Sequence, residues 1–209
     1  MADIPTEVGA VMRLSPVIPV LIVEDAALAR PIAEALVEGG LRVLEVTLRT
    51  AAALEVISEM AKVEGAVVGA GTVLNDRDLQ ASIDAGARFI VSPGLTDHLG
   101  RAAVESGIPF LPGISSAGEI MRGLDLGLTH FKFFPASTSG GIPALKALSA
   151  PFGQARFCPT GGVTLETAPD WLALPSVLCV GGSWLNAKPG FDHAELVETA
   201  RKAAGLARG

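Results

Sequence analysis

Apolar residues recur along this chain in short runs, each followed by a longer stretch with helical spacing. Residues 17–23 (VIPVLIV) form a near-continuous apolar run and precede a helical stretch over 26–40 that closes on a glycine pair. The same order repeats for strands predicted at 43–49, 67–73, 89–93, 109–114, 130–135, 156–160 and 177–180. Helices are predicted over 51–63, from Asn75 or Asp76, over 96–106, from Ser116, and over 142–150, 165–174 and 194–207. Asn75 or Asp76 suits an N-cap, Ser116 with Glu119 suits a capping box, and Pro31 is expected to bend the first long helix. Residues up to about Leu14 read as a short amphipathic helix outside the repeat.

Eight strand-then-helix units, at a spacing of roughly 20 to 26 residues and with no break between them, predict one α/β domain over residues 1–209. Strands that are apolar on both faces indicate a parallel sheet covered by helices. Eight such units suit a closed (β/α)8 TIM barrel with a short extra N-terminal helix. The alternative, an open Rossmann-like sheet, lacks the G-x-G-x-x-G expected after its first strand. Several predicted strands end in Pro- or Gly-bearing turns: Ser92-Pro93-Gly94, Leu111-Pro112-Gly113, Phe134-Pro135, Pro159-Thr160-Gly161-Gly162 and Gly181-Gly182-Ser183. In a barrel these turns would rim the mouth where active sites lie.

Two strands break the apolar rule. In the strand over 43–49, Leu44, Val46 and Leu48 alternate with Glu45, Thr47 and Arg49, so an acid, a hydroxyl and a guanidinium are predicted to point inward. Glu45 and Arg49 would lie about 13 Å apart along an extended strand, too far for a simple salt bridge. In the strand over 130–135, Lys132 interrupts a run of three phenylalanines and shares a face with His130 and Phe134, while Phe131 and Phe133 point to the other face. A buried ammonium needs a partner or a task. Lys132 is therefore either the ion-pair partner of Glu45 or an amine nucleophile that forms a Schiff base with a carbonyl substrate, Glu45 carrying the proton. The Gly161-Gly162 and Gly181-Gly182-Ser183 turns offer backbone amides for a phosphate.

Composition narrows the classes. The chain is 49% hydrophobic and 18% charged, which argues against disorder, and no apolar run approaches the roughly 20 residues of a membrane span. A net charge of -6 gives no electrostatic reason to expect nucleic acid or an acidic membrane as partner. The start of the chain lacks a signal sequence, and two cysteines, Cys158 and Cys179, are too few for a disulfide scaffold; both point to a cytoplasmic setting. Three scattered histidines, with no His-x-His or Glu-x-x-His pattern, argue against a metal site. No cofactor is expected. His98 and His193 read as surface residues, His130 as structural, and Trp171 and Trp184 as packing residues.

Read together, LEVTLR at 44–49, VGAGTV at 68–73, SPG at 92–94, FKFFP at 131–135, FCPTGG at 157–162 and CVGGSW at 179–184 resemble the 2-keto-3-deoxy-6-phosphogluconate aldolases, which also act as 4-hydroxy-2-oxoglutarate aldolases. The likeness runs in order through nearly the whole chain. It implies a homotrimer of (β/α)8 barrels that splits 2-dehydro-3-deoxy-6-phosphogluconate into pyruvate and glyceraldehyde 3-phosphate. By resemblance, Lys132 forms the Schiff base and Glu45 is the general acid and base. Arg49 and Thr72 would hold the pyruvate carboxylate, and Pro93 and Phe134 would line the pocket. Gly161, Gly162, Gly182 and Ser183 would receive the phosphate. Thr160 matches the gluconate-type enzymes, whereas the galactonate-type enzymes carry Val there, which would make its hydroxyl a discriminator at C4. Two other readings stay open: a phosphosugar isomerase or epimerase using Lys132 and Glu45 without a covalent step, and a non-catalytic phosphoester-binding barrel with a buried ion pair.

Overall fold

The computed structural model describes residues 7–207. Its strands are β1 (Val17–Leu21), β2 (Val43–Thr47), β3 (Val67–Gly71), β4 (Ile90–Val91), β5 (Phe110–Leu111), β6 (Gly113–Ile114), β7 (His130–Phe133), β8 (Arg156–Pro159) and β9 (Val180–Gly182). The α-helices are α1 (Val8–Arg13), α2 (Ala29–Glu38), α3 (Ala53–Met60), α4 (Asp76–Asp84), α5 (Asp97–Ser106), α6 (Ala117–Asp125), α7 (Gly141–Ser149), α8 (Ala168–Leu172) and α9 (His193–Ala204). Every strand pair is parallel, and each sequential pair is joined by the helical crossover that parallel neighbours need.

The closed eight-stranded TIM barrel expected from the repeat is not what the strands form. They pair as a curled six-stranded sheet, in the order β5-β4-β3-β2-β1-β9, and a separate three-stranded sheet, β6-β7-β8. The cause at one seam is Pro112. Having no N–H to give to a ladder, it divides the predicted strand over 109–114 into β5, paired with β4, and β6, paired with β7. At the other seam, the β8 and β9 segments meet only through the isolated bridges Phe157↔Val177 and Thr160↔Gly181. The last strand is also displaced from its predicted position at 177–180. It starts at Val180, because the partner set by β1 is Val17↔Val180, and Val177 is left with its single bridge to Phe157.

Helix ends follow local chemistry closely. The side chains of Asn75, Thr96, Ser116 and Asp192 accept from the backbone N–H three residues on, opening α4, α5, α6 and α9. The reciprocal half of the predicted Ser116–Glu119 box shifts by one residue: the Glu119 carboxylate accepts from the Ser115 N–H at 2.8 Å. Pro31 does not bend a long helix. A 3-10 turn over Ala26–Leu28 comes first, and Pro31 falls in the first turn of α2, where its missing N–H costs nothing. The predicted N-terminal helix is α1; the part of that prediction at residues 1–6 lies outside the described residues.

Two apolar layers result. The larger lies between strands and helices and contains Leu44, Val46, Phe131 and Phe133, as the alternation requires. Phe133 is 6.3 Å from Trp171 of α8, centroid to centroid, and burying such a ring contributes about 1.5–3 kcal/mol. The smaller joins the inward faces of the strands: Ile18, Val43, Val67, Phe89, Val91, Leu111, Cys158 and Cys179 pack together with Val11 and Met12 of α1. The short N-terminal helix therefore packs into the inner cluster. His130 flanks it. Its imidazole lies against Gly9, and burial, then Arg13 and Arg156, hold it below the ordinary histidine pKa, as suits a structural, uncharged ring.

Candidate active site

One face of β2 and one face of β7 carry their polar residues into the interior above that inner cluster. Lys132 and Glu45 are 5% and 3% exposed, and Lys132 Nζ donates to Glu45 Oε1 at 3.0 Å. The two come from strands in different sheets, so the pair spans the molecule's interior. The register explains the room they have. Lys132 pairs with Gly113 on one side and Cys158 on the other, and Glu45 lies between Val20 and Gly69. Gly71 is a close approach of backbone to carboxylate: a Cβ there would sit 2.2 Å from Glu45 Oε1. Gly71→Ala should therefore push the carboxyl off Lys132. We expect activity to fall on the order of 10²-fold with folding retained, checked by kcat/KM beside a thermal melt; wild-type activity would mean that the pair's geometry is not used.

Phe134 follows Lys132 on the same side. The ammonium stands 5.4 Å from its ring centroid, a cation–π contact. The Phe134 ring also meets the turn after β8, since a Cβ on Gly161 would lie 3.3 Å from it. Gly161 and Gly162 have φ of 99° and 77°, a backbone that L side chains rarely adopt, so the turn depends on both glycines. Its carbonyls are anchored: Ala136 N–H donates to Thr160 O and Ser137 N–H to Gly161 O, at 2.8 and 3.0 Å. Thr160 is 6% exposed, its hydroxyl donates to Cys158 O at 3.3 Å, and it packs against Gly181.

The remaining predicted residues lie at the carboxyl ends of the strands. Arg49 is exposed in the turn after β2 and, among the described residues, has no ion-pair partner. Thr72, after β3, has a φ of 61°. For a β-branched residue that left-handed backbone costs on the order of 1–3 kcal/mol, strain of the kind held at functional sites. Pro93 reaches the site through its backbone, which packs where a Cβ on Gly113 would stand. Gly182 ends β9, and Ser183 is exposed just beyond it. Among the described residues no hydrogen bond joins Arg49, Thr72 or Ser183 to the Lys132–Glu45 pair, so a ligand would have to bridge them. Thr47, predicted to point inward, donates to Leu21 O at 2.9 Å. Two contributors were not singled out from the sequence: Gly71 makes space for the carboxyl, and Asn186 bonds the β9 loop to β1. Only Gly71 had a visible signal, the alternation Gly69-x-Gly71 in β3. Among the described residues no cluster of three or more His, Cys, Asp or Glu could hold a metal ion, and no helix is long and apolar enough to cross a membrane.

A buried amine with a carboxylate on it, beneath a rim of backbone amides and one unpaired guanidinium, equips an α/β enzyme for amine–carbonyl chemistry on small anions. The comparisons with known proteins fall in that class. The chain belongs to the KDPG and KHG aldolase family, whose model matches residues 8–200. The Escherichia coli KHG/KDPG aldolase is 50% identical over 207 residues, covering 97% of each chain. A structure of the Zymomonas mobilis 2-keto-3-deoxy-6-phosphogluconate aldolase with 3-phosphoglycerate superposes with a TM-score of 0.95 at 55% identity, covering 97% of each chain. A structure of the Legionella pneumophila KDPG aldolase holds pyruvate as a covalent carbinolamine; it has a TM-score of 0.87 at 44% identity, over 95% of this chain and 98% of that one.

Proposed function

We propose that this protein is a class I aldolase cleaving 2-dehydro-3-deoxy-6-phosphogluconate to pyruvate and glyceraldehyde 3-phosphate, and 4-hydroxy-2-oxoglutarate to pyruvate and glyoxylate. The observation that carries this is the 3.0 Å contact between two buried side chains, Lys132 Nζ and Glu45 Oε1, in a family of Schiff-base aldolases. The Lys132 amine, having passed its proton to Glu45 or to water, attacks the substrate C2 carbonyl. The carbinolamine loses water to give a protonated imine. Glu45, directly or through a water, takes the C4 hydroxyl proton; the C3–C4 bond breaks, its electron pair flows to the iminium nitrogen, and the aldehyde departs. Glu45 returns a proton to C3 of the enamine, and hydrolysis frees pyruvate and the lysine.

The rest of the site supplies orientation. Arg49 and the strained Thr72 stand where β2 and β3 end, suited to the substrate carboxylate. Phe134 and Pro93 wall the lysine, and Thr160 offers a hydroxyl toward C4. The Gly161-Gly162 turn and Gly182-Ser183 take the phosphate through backbone amides and a hydroxyl. The assembly proposed is a homotrimer, for which the exposed Leu74 and Met121, each 58%, are apolar surface to cover, and the setting proposed is cytoplasmic, in keeping with two free buried cysteines. Borohydride added with pyruvate should fix a three-carbon adduct on Lys132, read by peptide mass mapping. An adduct on another residue would take the nucleophile's role from Lys132, and none would favour an isomerase or epimerase without a covalent step.

A further inference from the structure

The turn that carries Ser183 is fastened to the sheet by a single side chain. Asn186 Nδ2 donates to Val20 O and to Ser183 O, both at 2.9 Å, while Asn186 Oδ1 accepts from the Ile22 N–H at 2.6 Å. The partners fix the orientation of the amide: Val20 and Ser183 offer carbonyls and Ile22 offers an N–H, so each donor and the acceptor has one fitting place. Bonding to the carbonyl before Leu21 and the N–H after it is how a strand residue pairs in a parallel ladder. The β1–β9 register ends at Pro19↔Gly182, and the Asn186 side chain continues that ladder in place of the main chain.

Two further observations make this side chain the point of attachment. Among the described residues, the hydrogen bonds that leave the loop between Trp184 and Phe191 are those of Asn186. Beyond it the loop stands off from β1, leaving a cavity of about 290 Å³ between Ile22–Asp25 and Ala187–Pro189. The Ser183 carbonyl also takes the Asn186 backbone N–H at 3.3 Å, so both donors of one residue set the Ser183 peptide. On the opposite edge of β1, Thr47 Oγ1 holds Leu21 O.

We propose that Asn186 is a positioning residue for phosphate recognition: by clamping the Ser183 turn to the end of β1, it sets the selectivity for phosphorylated over unphosphorylated substrate. The inference rests on the reading that the β9 turn receives the phosphate. Asn186→Ala removes every side-chain bond of the clamp and leaves the backbone N–H to Ser183 O. Asn186→Asp keeps the acceptor for Ile22 but sets a carboxylate against two carbonyls.

The measurement is KM and kcat for the phosphorylated six-carbon keto acid and for 4-hydroxy-2-oxoglutarate, with inorganic phosphate as inhibitor of the second reaction and thermal melts of each variant. Both variants should raise the ratio of the two KM values roughly tenfold, about 1.4 kcal/mol, with kcat changed little and phosphate inhibition weakened in proportion. Ser183→Ala is measured beside them. If it leaves the ratio unmoved, the assignment of phosphate to this turn fails. If Ser183→Ala moves the ratio and neither Asn186 variant does, the clamp alone is overturned. Equal losses on both substrates, or unfolding of both Asn186 variants, would make the residue structural and likewise overturn the proposal.

Discussion

Lys132→Met should abolish adduct formation with pyruvate and lower kcat/KM for cleavage on the order of 10⁴-fold or more. Methionine nearly fills the volume of the lysine stem, so the Phe134 face and the Cys158 neighbour keep their packing. What is lost is the nucleophile, and with it the cationic nitrogen that accepts the C3–C4 electron pair. The variant also strands Glu45, 3% exposed, without its partner, at a cost of roughly 3–5 kcal/mol. Adding Glu45→Gln removes that buried charge. The double variant should therefore recover much of the lost thermal stability while recovering no activity. This separates the two readings of the pair. A purely structural pair predicts that substrate binding and stability survive its neutral replacement, with no catalysis to lose; cleavage within tenfold of wild type in Lys132→Met would sink the covalent mechanism.

Much of this arrangement could be read before any coordinates, where local periodicity determines the outcome. Alternation in 43–49 placed Leu44 and Val46 against the helices and Glu45 inside, and the same rule divided Phe131 and Phe133 from Lys132. Caps at Asn75 and Ser116 are decided within three residues, and their side chains do open helices. What failed to show depends on partners far along the chain. The repeat counts eight units but says nothing of whether ladder bonds cross Pro112, and they do not. The run Val177-Leu178-Cys179-Val180 is apolar throughout, without alternation to mark its pairing; the ladder with Val17 decides that only its last residue belongs to β9. Asn186 bonds Ile22 across 164 positions of sequence, in a loop whose composition reads only as a turn. The site divides along the same line. Residues that carry chemistry stand out by type, whereas those that orient them, Gly71 and Asn186, are ordinary residues made specific by register.

Glu45→Gln should separate the two halves of the reaction. The amide keeps the size of the carboxyl and an oxygen that can accept from Lys132 Nζ, so borohydride should still fix pyruvate to Lys132. It cannot carry a proton. Exchange of the pyruvate methyl protons with deuterated solvent, followed by NMR, should slow by roughly 10²–10⁴-fold, and cleavage should slow with it. The geometry requires both effects to come from one group. Pyruvate C3 is two bonds from Nζ once the imine has formed, and Glu45 Oε1, the one carboxylate paired with Lys132 among the described residues, already lies 3.0 Å from that nitrogen. The carboxyl lies in the space that the missing side chain of Gly71 leaves on the β3 side. If exchange in Glu45→Gln ran at the wild-type rate, the proton carrier would have to be a water or another group, and Glu45 would be reduced to the counter-ion of the lysine. If the adduct vanished as well, the carboxylate would be needed to free the amine for attack, and its role would begin one step earlier, at carbinolamine formation.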